Sequence, residues 1–186
     1  MKFTPDGGTQ KDIQTTLWLD LVRSGEVRVP EMVARGASVA LLFALRSVRH
    51  LKSIDLHVDT TSGDHKAFDS CKELLRRRND GQMTNVFVDG IAGSIGLSFV
   101  AVGTHRVATP DSTFIVHGEQ YRPCDTTPRH ETGALLEDHY AADWLARFTT
   151  LNYVEWLGII EKEVALTFGP EQAIEWGVID AIEGVL

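Results

Sequence analysis

The sequence predicts an α/β fold with a largely parallel β-sheet. Two patterns alternate along the chain. In one, apolar residues fall at every second position, as at Ile54, Leu56 and Val58. In the other they recur three and four apart, as at Ile13, Leu17 and Leu21. The first is the period of a half-buried strand and the second that of a helical face. Strands that alternate with helices need crossovers, and crossovers make neighbouring strands parallel. With 186 residues the chain is long enough for one domain with a full core, so a single domain over 1–186 is expected, with 1–10 as a short N-terminal segment.

The elements follow in order. Residues 12–23 predict a helix with Asp12 as its N-cap. Gly25 follows, and Val27 and Val29 alternate with Glu26 and Arg28 as a strand. Residues 37–49, rich in Ala and Leu, predict a largely buried helix. Ile54, Leu56 and Val58 form a half-buried strand that closes in a turn from Thr60 to Gly63. Residues 65–78 predict a helix and Val86 to Val88 a third strand. Gly90 to Gly93 reads as a loop and Ser94 to Val102 as a small-residue helix. Short strands at 106–108 and 113–117 flank a turn at Pro110-Asp111. Residues 118–130, with two prolines, predict a loop; 131–148 and 153–166 predict helices. Gly169-Pro170 opens a last helix, with Pro in its first turn, and Gly177 ends it before a final strand at 178–180.

Composition narrows the function classes. The net charge is -8, from 18 basic and 26 acidic residues, which disfavours a phosphate-backbone or anionic-membrane binder. The dense basic cluster Arg76-Arg77-Arg78 reads as the solvated end of a helix. Cys71 and Cys124 fit no metal spacing, so two free thiols in a reducing compartment are expected. Met1 to Gln10 is polar, and the apolar run Val39 to Leu45 is too short to span a bilayer. A cytoplasmic protein is the expectation, with no nucleic acid or membrane partner.

Gly90-Ile91-Ala92-Gly93-Ser94-Ile95-Gly96 runs from a strand into a helix. Small residues around a serine let a substrate or backbone approach closely. The helix N-terminus favours developing negative charge, and the Ile95 amide beside the serine is an oxyanion donor. Spacing alone favours a plain helix N-cap for Ser94. A serine nucleophile needs a base. His117 ends the apolar strand Phe114-Ile115-Val116, although a solvent-facing histidine fits that position too. The seven histidines make no metal pairing, and no cofactor is expected.

Taken together these segments resemble the Clp protease proteolytic-subunit family. Gly90 to Gly96 is similar to its nucleophile segment, and Pro110-Asp111-Ser112-Thr113-Phe114-Ile115-Val116-His117 to the segment of its catalytic histidine. Ile54 to Gly63 is similar to the strand and loop that supply an oxyanion-hole amide, here on Gly63. Glu171 to Asp180 is similar to the closing helix and strand, and Asp12 to Val29 to the first helix and strand. The motifs stand in the family's order over nearly the whole chain. There are departures: Ser62 precedes Gly63 where the family has a Gly pair, and Gly118-Glu119 stands where it has Gln-Pro. Counted back from Gly177 without gaps, the family's catalytic aspartate falls on Ala165. Counted forward from Asn152, it falls on Glu163, with Glu161 as an alternative.

The resemblance implies the Clp protease/crotonase-like fold, built of stacked ββα units with a protruding handle helix in 118–148. It implies a serine endopeptidase with Ser94 as nucleophile, His117 as base, Glu163 as the acid, and Gly63 and Ile95 as the oxyanion hole. Peptides or unfolded proteins would be its substrates, a homo-oligomeric ring its assembly, and an AAA+ unfoldase its partner. The rival expectations are an inactive ring subunit of the same fold and a crotonase-like acyl-CoA enzyme.

Overall fold

The computed structural model describes residues 25–33, 36–64, 66–118, 128–162 and 165–185. The expected helix at 12–23, the segment 1–10, the 119–127 part of the expected loop, Cys124 and Glu163 lie outside the described residues.

The strands are β1 (Glu26–Val29), β2 (Met32–Val33), β3 (Ser53–Thr60), β4 (Ser62–Gly63), β5 (Met83–Gly93), β6 (His105–Ala108), β7 (Thr113–Val116), β8 (Leu166–Phe168) and β9 (Ala181–Ile182). The helices are α1 (Gly36–Ser47), α2 (Ala67–Asn79), α3 (Ile95–Val102), α4 (Pro128–Ala146), α5 (Tyr153–Ile160) and α6 (Pro170–Glu175). The main sheet runs β1-β3-β5-β6-β9, with β7 beside the end of β5 and β8 beside β7. The β7–β8 pair is antiparallel and the other pairs of this sheet are parallel. The protein is therefore α/β with a mostly parallel sheet, as the alternating periods predict.

The strand alternation sets the faces. Val27, Val29, Ile54, Leu56, Val58, Val86 and Val88 are buried beneath Leu41 and Leu45 of α1, Leu74 of α2 and Leu97 of α3. On the opposite face His57 Nδ1 lies 2.6 Å from the Asp89 carboxylate, and the His57 ring stacks on Phe87. Among the described residues, no helix is long and apolar enough to cross a membrane.

One irregularity shapes the site. Val58 pairs with Val88, but Thr60 pairs with Ala92, so β5 carries two extra residues against β3. A bulge of this kind bends the strand. Asp59 holds it: its carboxylate accepts the Ile91 N–H at 2.9 Å and lies so close to Gly90 that a Cβ there would stand 2.6 Å from it. Beyond the bend β5 leaves β6 and pairs Ile91, Ala92 and Gly93 with Thr113, Phe114 and Ile115 of β7. The expected loop at Gly90–Gly93 is thus the end of a long strand. Its small residues mark close backbone approach, not a turn.

Other boundaries move for local reasons. Ser62–Gly63 is not a turn but a short strand parallel to Met32–Val33. The expected helix 153–166 ends at Ile160 with Glu161 as its C-cap, and Leu166 and Phe168 instead pair with Val116 and Phe114. The Phe114 and Phe168 rings stack at 5.4 Å. Helix α4 starts at Pro128 and ends at Ala146, two residues before its expected end. Helix α6 ends as foreseen at Gly177, whose φ is 66. The Gly177 N–H donates to Ile174 O and the Val178 N–H to Ala173 O, the paired bonds of a Schellman cap. That cap occupies 178–179, so the final strand forms at Ala181–Ile182 instead.

The arginine run is a solvated helix end only in part: Arg76 and Arg78 are exposed in the last turn of α2, but Arg77 is not. Arg77 is buried and donates to Val48 O and Leu51 O at 3.0 and 3.2 Å. Arg78 donates to Gly103 O at 2.9 Å, and Arg76 bonds Glu73 at 3.2 Å. Arg77 and Arg78 thus bond backbone carbonyls at and just beyond the ends of α1 and α3. Cys71 is a buried free thiol, and burial pushes its pKa up.

Candidate active site

Ser94 stands between β5 and α3 with φ 53 and ψ -115. Among the described residues it is the one non-glycine with positive φ. A capping serine keeps extended backbone and accepts an N–H of the first turn. Ser94 does neither: its side chain makes no capping bond. Its backbone is committed, the N–H to Ile115 O at 2.9 Å and the carbonyl to the Leu97 N–H at 3.1 Å. The plain N-cap reading fails on both points. A serine in strained backbone at a sharp strand-to-helix turn is the geometry of a nucleophile elbow.

Two glycines permit the turn. A Cβ on Gly93 would stand 2.9 Å from Thr61 O, and one on Gly96 would stand 3.0 Å from Thr60 O. The end of β3 therefore packs directly on both sides of Ser94. Strain at the serine of about 1–3 kcal/mol is offset by this surrounding contact.

His117 follows β7 directly and is half-buried. Gly93 pairs with Ile115, so Ser94 and His117 stand at the same end of neighbouring parallel strands, whose axes lie about 4.8 Å apart. His117 Nδ1 is 2.7 Å from Gly118 O. A carbonyl only accepts, so Nδ1 carries the proton in this bond, and Nε2 of the neutral ring is the basic nitrogen.

The Gly63 backbone comes to the same place. Strand β4 bonds β2 through the Asp64 N–H to Val33 O at 2.9 Å. Successive N–H groups of an extended chain point to opposite edges, so the Gly63 N–H points away from β2. A Cβ on Gly63 would stand 2.7 Å from Ile95 Cγ2 and 2.9 Å from Val33 O. Gly63 thus lies against Ile95, the first residue of α3, whose N–H has no intrahelical partner. The structure brings together the two residues that the resemblance implies for an oxyanion hole.

Sequence reading missed the support of that loop. Asp64 Oδ1 is 2.7 Å from the Ser38 hydroxyl and accepts the Lys66 and Ala67 N–H groups at 3.1 and 3.2 Å. The signal was present, since an aspartate just before a helical period is a capping residue. It fixes Gly63 from its C-terminal side.

The acid is different. Glu163 lies outside the described residues, and Glu161 is exposed at the end of α5. Val116 pairs antiparallel with Leu166, the last pair of that ladder, and His117 and Ala165 are the residues just beyond it. The gapless position of the family's aspartate therefore holds a methyl group beyond the end of β8. A carboxylate does reach this region from α4: the Asp138 oxygens stand 3.1 and 3.4 Å from where a Cβ of Gly118 would be. Among the described residues no group of three or more His, Cys, Asp or Glu is placed to hold a metal ion.

Comparison of the chain with protein-family models and with curated proteins gives no match to either.

Proposed function

We propose that the chain is a serine peptidase with the Clp protease/crotonase-like fold, cleaving peptide bonds through an acyl-enzyme on Ser94. The observation that carries this reading is the Ser94 backbone, φ 53 and ψ -115, at a strand-to-helix junction with the hydroxyl uncommitted to capping. The bend that divides β5 between β6 and β7 supports stacked sheet layers. In the reaction, His117 Nε2 takes the Ser94 proton as Oγ attacks the scissile carbonyl. The oxyanion is received by the Gly63 and Ile95 N–H groups. The amine leaves with the proton from His117, and water, deprotonated by His117, then hydrolyses the ester and restores Ser94. Peptides or unfolded proteins are the substrates.

Leu136 and Tyr140, one turn apart on α4, are 52% and 61% exposed, which supports contact between copies along this helix in a ring. An AAA+ unfoldase feeding that ring belongs to the same proposal. Ala165 at the gapless position of the family's aspartate favours a second reading, a catalytically silent ring subunit.

A small activated peptide ester, which passes gates that exclude proteins, tests the proposal. Hydrolysis by the wild type and its loss in Ser94→Ala supports the peptidase. Equal hydrolysis by both rejects Ser94 as nucleophile, and no hydrolysis by the wild type supports the silent subunit.

A further inference from the structure

Helix α1 buries one hydroxyl. Its buried residues are Ser38, Ala40, Leu41, Ala44 and Leu45, and Ser38 is the polar member, 1% exposed. Alanine would suit that place better if packing alone mattered, since it favours the helix and buries no polar group. The partners of the hydroxyl give it another use. Ser38 Oγ stands 2.7 Å from Asp64 Oδ1 and 3.1 Å from Val33 O. It has one hydrogen to donate, and the shorter, charge-assisted bond to the carboxylate is the stronger of the two.

Those two partners are bonded to each other. The Asp64 N–H donates to Val33 O at 2.9 Å, the bond that closes the pairing of β4 with β2. Ser38 thus touches both ends of that bond. Asp64 Oδ1 also accepts the Lys66 and Ala67 N–H groups at 3.1 and 3.2 Å, where α2 begins. Strand β2, helix α1 and the start of α2 therefore meet on one residue, and that residue follows Gly63 directly.

Gly63 needs such a hold. A Cβ there would stand 2.7 Å from Ile95 Cγ2, 2.9 Å from Val33 O and 3.3 Å from Ala67 Cβ, so packing favours glycine. Glycine leaves the backbone freer to turn than other residues do. The direction of its N–H depends on the bonds to either side. Before it the Thr61 N–H donates to Glu31 O, and after it the Asp64 N–H donates to Val33 O, both at 2.9 Å.

We propose that Ser38 is a positioning residue of the oxyanion hole, acting through Asp64 to hold the Gly63 N–H toward the reacting carbonyl; this rests on reading Ser94 as nucleophile and Gly63 with Ile95 as the hole. Buried in α1, Ser38 itself does not touch the substrate. It ties the donor to that helix, so a shift of α1 against β2 turns the Gly63 N–H away and leaves the Ser94 backbone in place.

The test combines rates with hydrogen exchange. With a small activated peptide ester, Ser38→Ala is expected to lower kcat about tenfold at little-changed KM, less than the hundredfold or so that follows outright loss of a donor. Ser38→Thr keeps the hydroxyl and is expected to recover most of the rate. Asp64→Ala removes the same contact from its other end, and the double variant is expected to lose little more than Asp64→Ala alone. Ser47→Ala, whose hydroxyl bonds Ala44 O at the far end of α1, leaves the rate unchanged. In Ser38→Ala the Asp64 amide is expected to exchange about tenfold faster, while the Ser94 amide, bonded to Ile115 O, exchanges as in the wild type. Wild-type kcat in Ser38→Ala, wild-type exchange at Asp64, or a folded Ser38→Thr as slow as Ser38→Ala overturns the proposal. Exchange needs no hydrolysis, so the two readings stay apart. A wild type that cleaves no ester, but whose Asp64 amide loosens in Ser38→Ala, keeps the brace on Gly63 and rejects the peptidase.

Discussion

The Ser94 N–H donates to the carbonyl of Ile115 at 2.9 Å. Through that bond the serine is anchored to β7, which His117 follows directly, two residues beyond Ile115. The same bond holds Ser94 at φ 53, a conformation that glycine adopts freely and serine does not. The backbone constraint and the proposed chemistry therefore meet in one residue.

Stability and activity are expected to diverge at this position. Ser94→Gly relieves the backbone strain and is predicted to stabilise the fold by about 1 kcal/mol after the entropy that glycine adds to the unfolded chain, read as a higher thermal midpoint. Ser94→Ala keeps the strained backbone and is predicted to melt within about 0.5 kcal/mol of the wild type. Both lose ester hydrolysis. Thermal unfolding of the three proteins checks this ordering; a Ser94→Gly protein less stable than Ser94→Ala contradicts it.

The oxyanion loop is predicted to be intolerant of one methyl group. In Gly63→Ala the new Cβ meets Ile95 Cγ2 at 2.7 Å and the Val33 backbone at 2.9 Å, so the loop must retreat. Loss of one oxyanion donor costs on the order of a hundredfold in kcat. The expected result is that loss with KM little changed, because the donor acts on charge that develops only in the transition state. A rise in KM alone places Gly63 in ground-state binding instead.

Acid is predicted to unfold the protein through two carboxylates outside the site. Burial pushes the Glu73 carboxyl up, but the hydrogen bond and charge of Arg49, at 2.5 Å, and then Arg76 outweigh it and hold it below its ordinary value. Burial acts upward on Asp180 too, and the Arg106 guanidinium at 2.5 Å outweighs it. A carboxyl lowered by folding binds fewer protons in the native state. Its contribution is complete above the unfolded carboxylate range, about pH 4, and is lost as pH falls through the lower native value. Unfolding by urea is therefore expected to give a plateau above about pH 5 and a decline below about 4. Glu73→Gln and Asp180→Asn should each flatten the decline; an unchanged slope in both contradicts the assignment.

Gly177→Ala tests the cap of α6. The position has φ 66, and a Cβ would stand 2.9 Å from Thr150 Cγ2. Both effects are unfavourable, so a loss of at least about 1 kcal/mol is expected in denaturant melts. Near-wild-type stability would mean that the chain end re-forms around the alanine.

Legibility in the sequence followed the length of each period. Val27, Val29, Ile54, Leu56 and Val58 alternate long enough to announce β1 and β3. Strands β4 and β8, of two and three residues, carry no period of their own, and Leu166 was absorbed into the helical run before it. Gly90 and Gly93 looked like a loop because small residues mark turns and close approaches alike. Ser94, His117, Gly63 and Ile95 were nameable through ordered motifs. The positive φ of Ser94 was not, since serine has no signature for it. Asp138 was hidden for a different reason: it meets Gly118 across twenty residues of sequence, and only packing of α4 brings the two together.

The central claim is that Ser94 is an activated nucleophile. It is tested most directly by treating the protein with a fluorophosphonate and locating the adduct by peptide mass spectrometry. The account predicts a single adduct on Ser94, absent in Ser94→Ala and strongly slowed in His117→Ala. No adduct on the folded wild type, or an adduct that persists in Ser94→Ala, would contradict it.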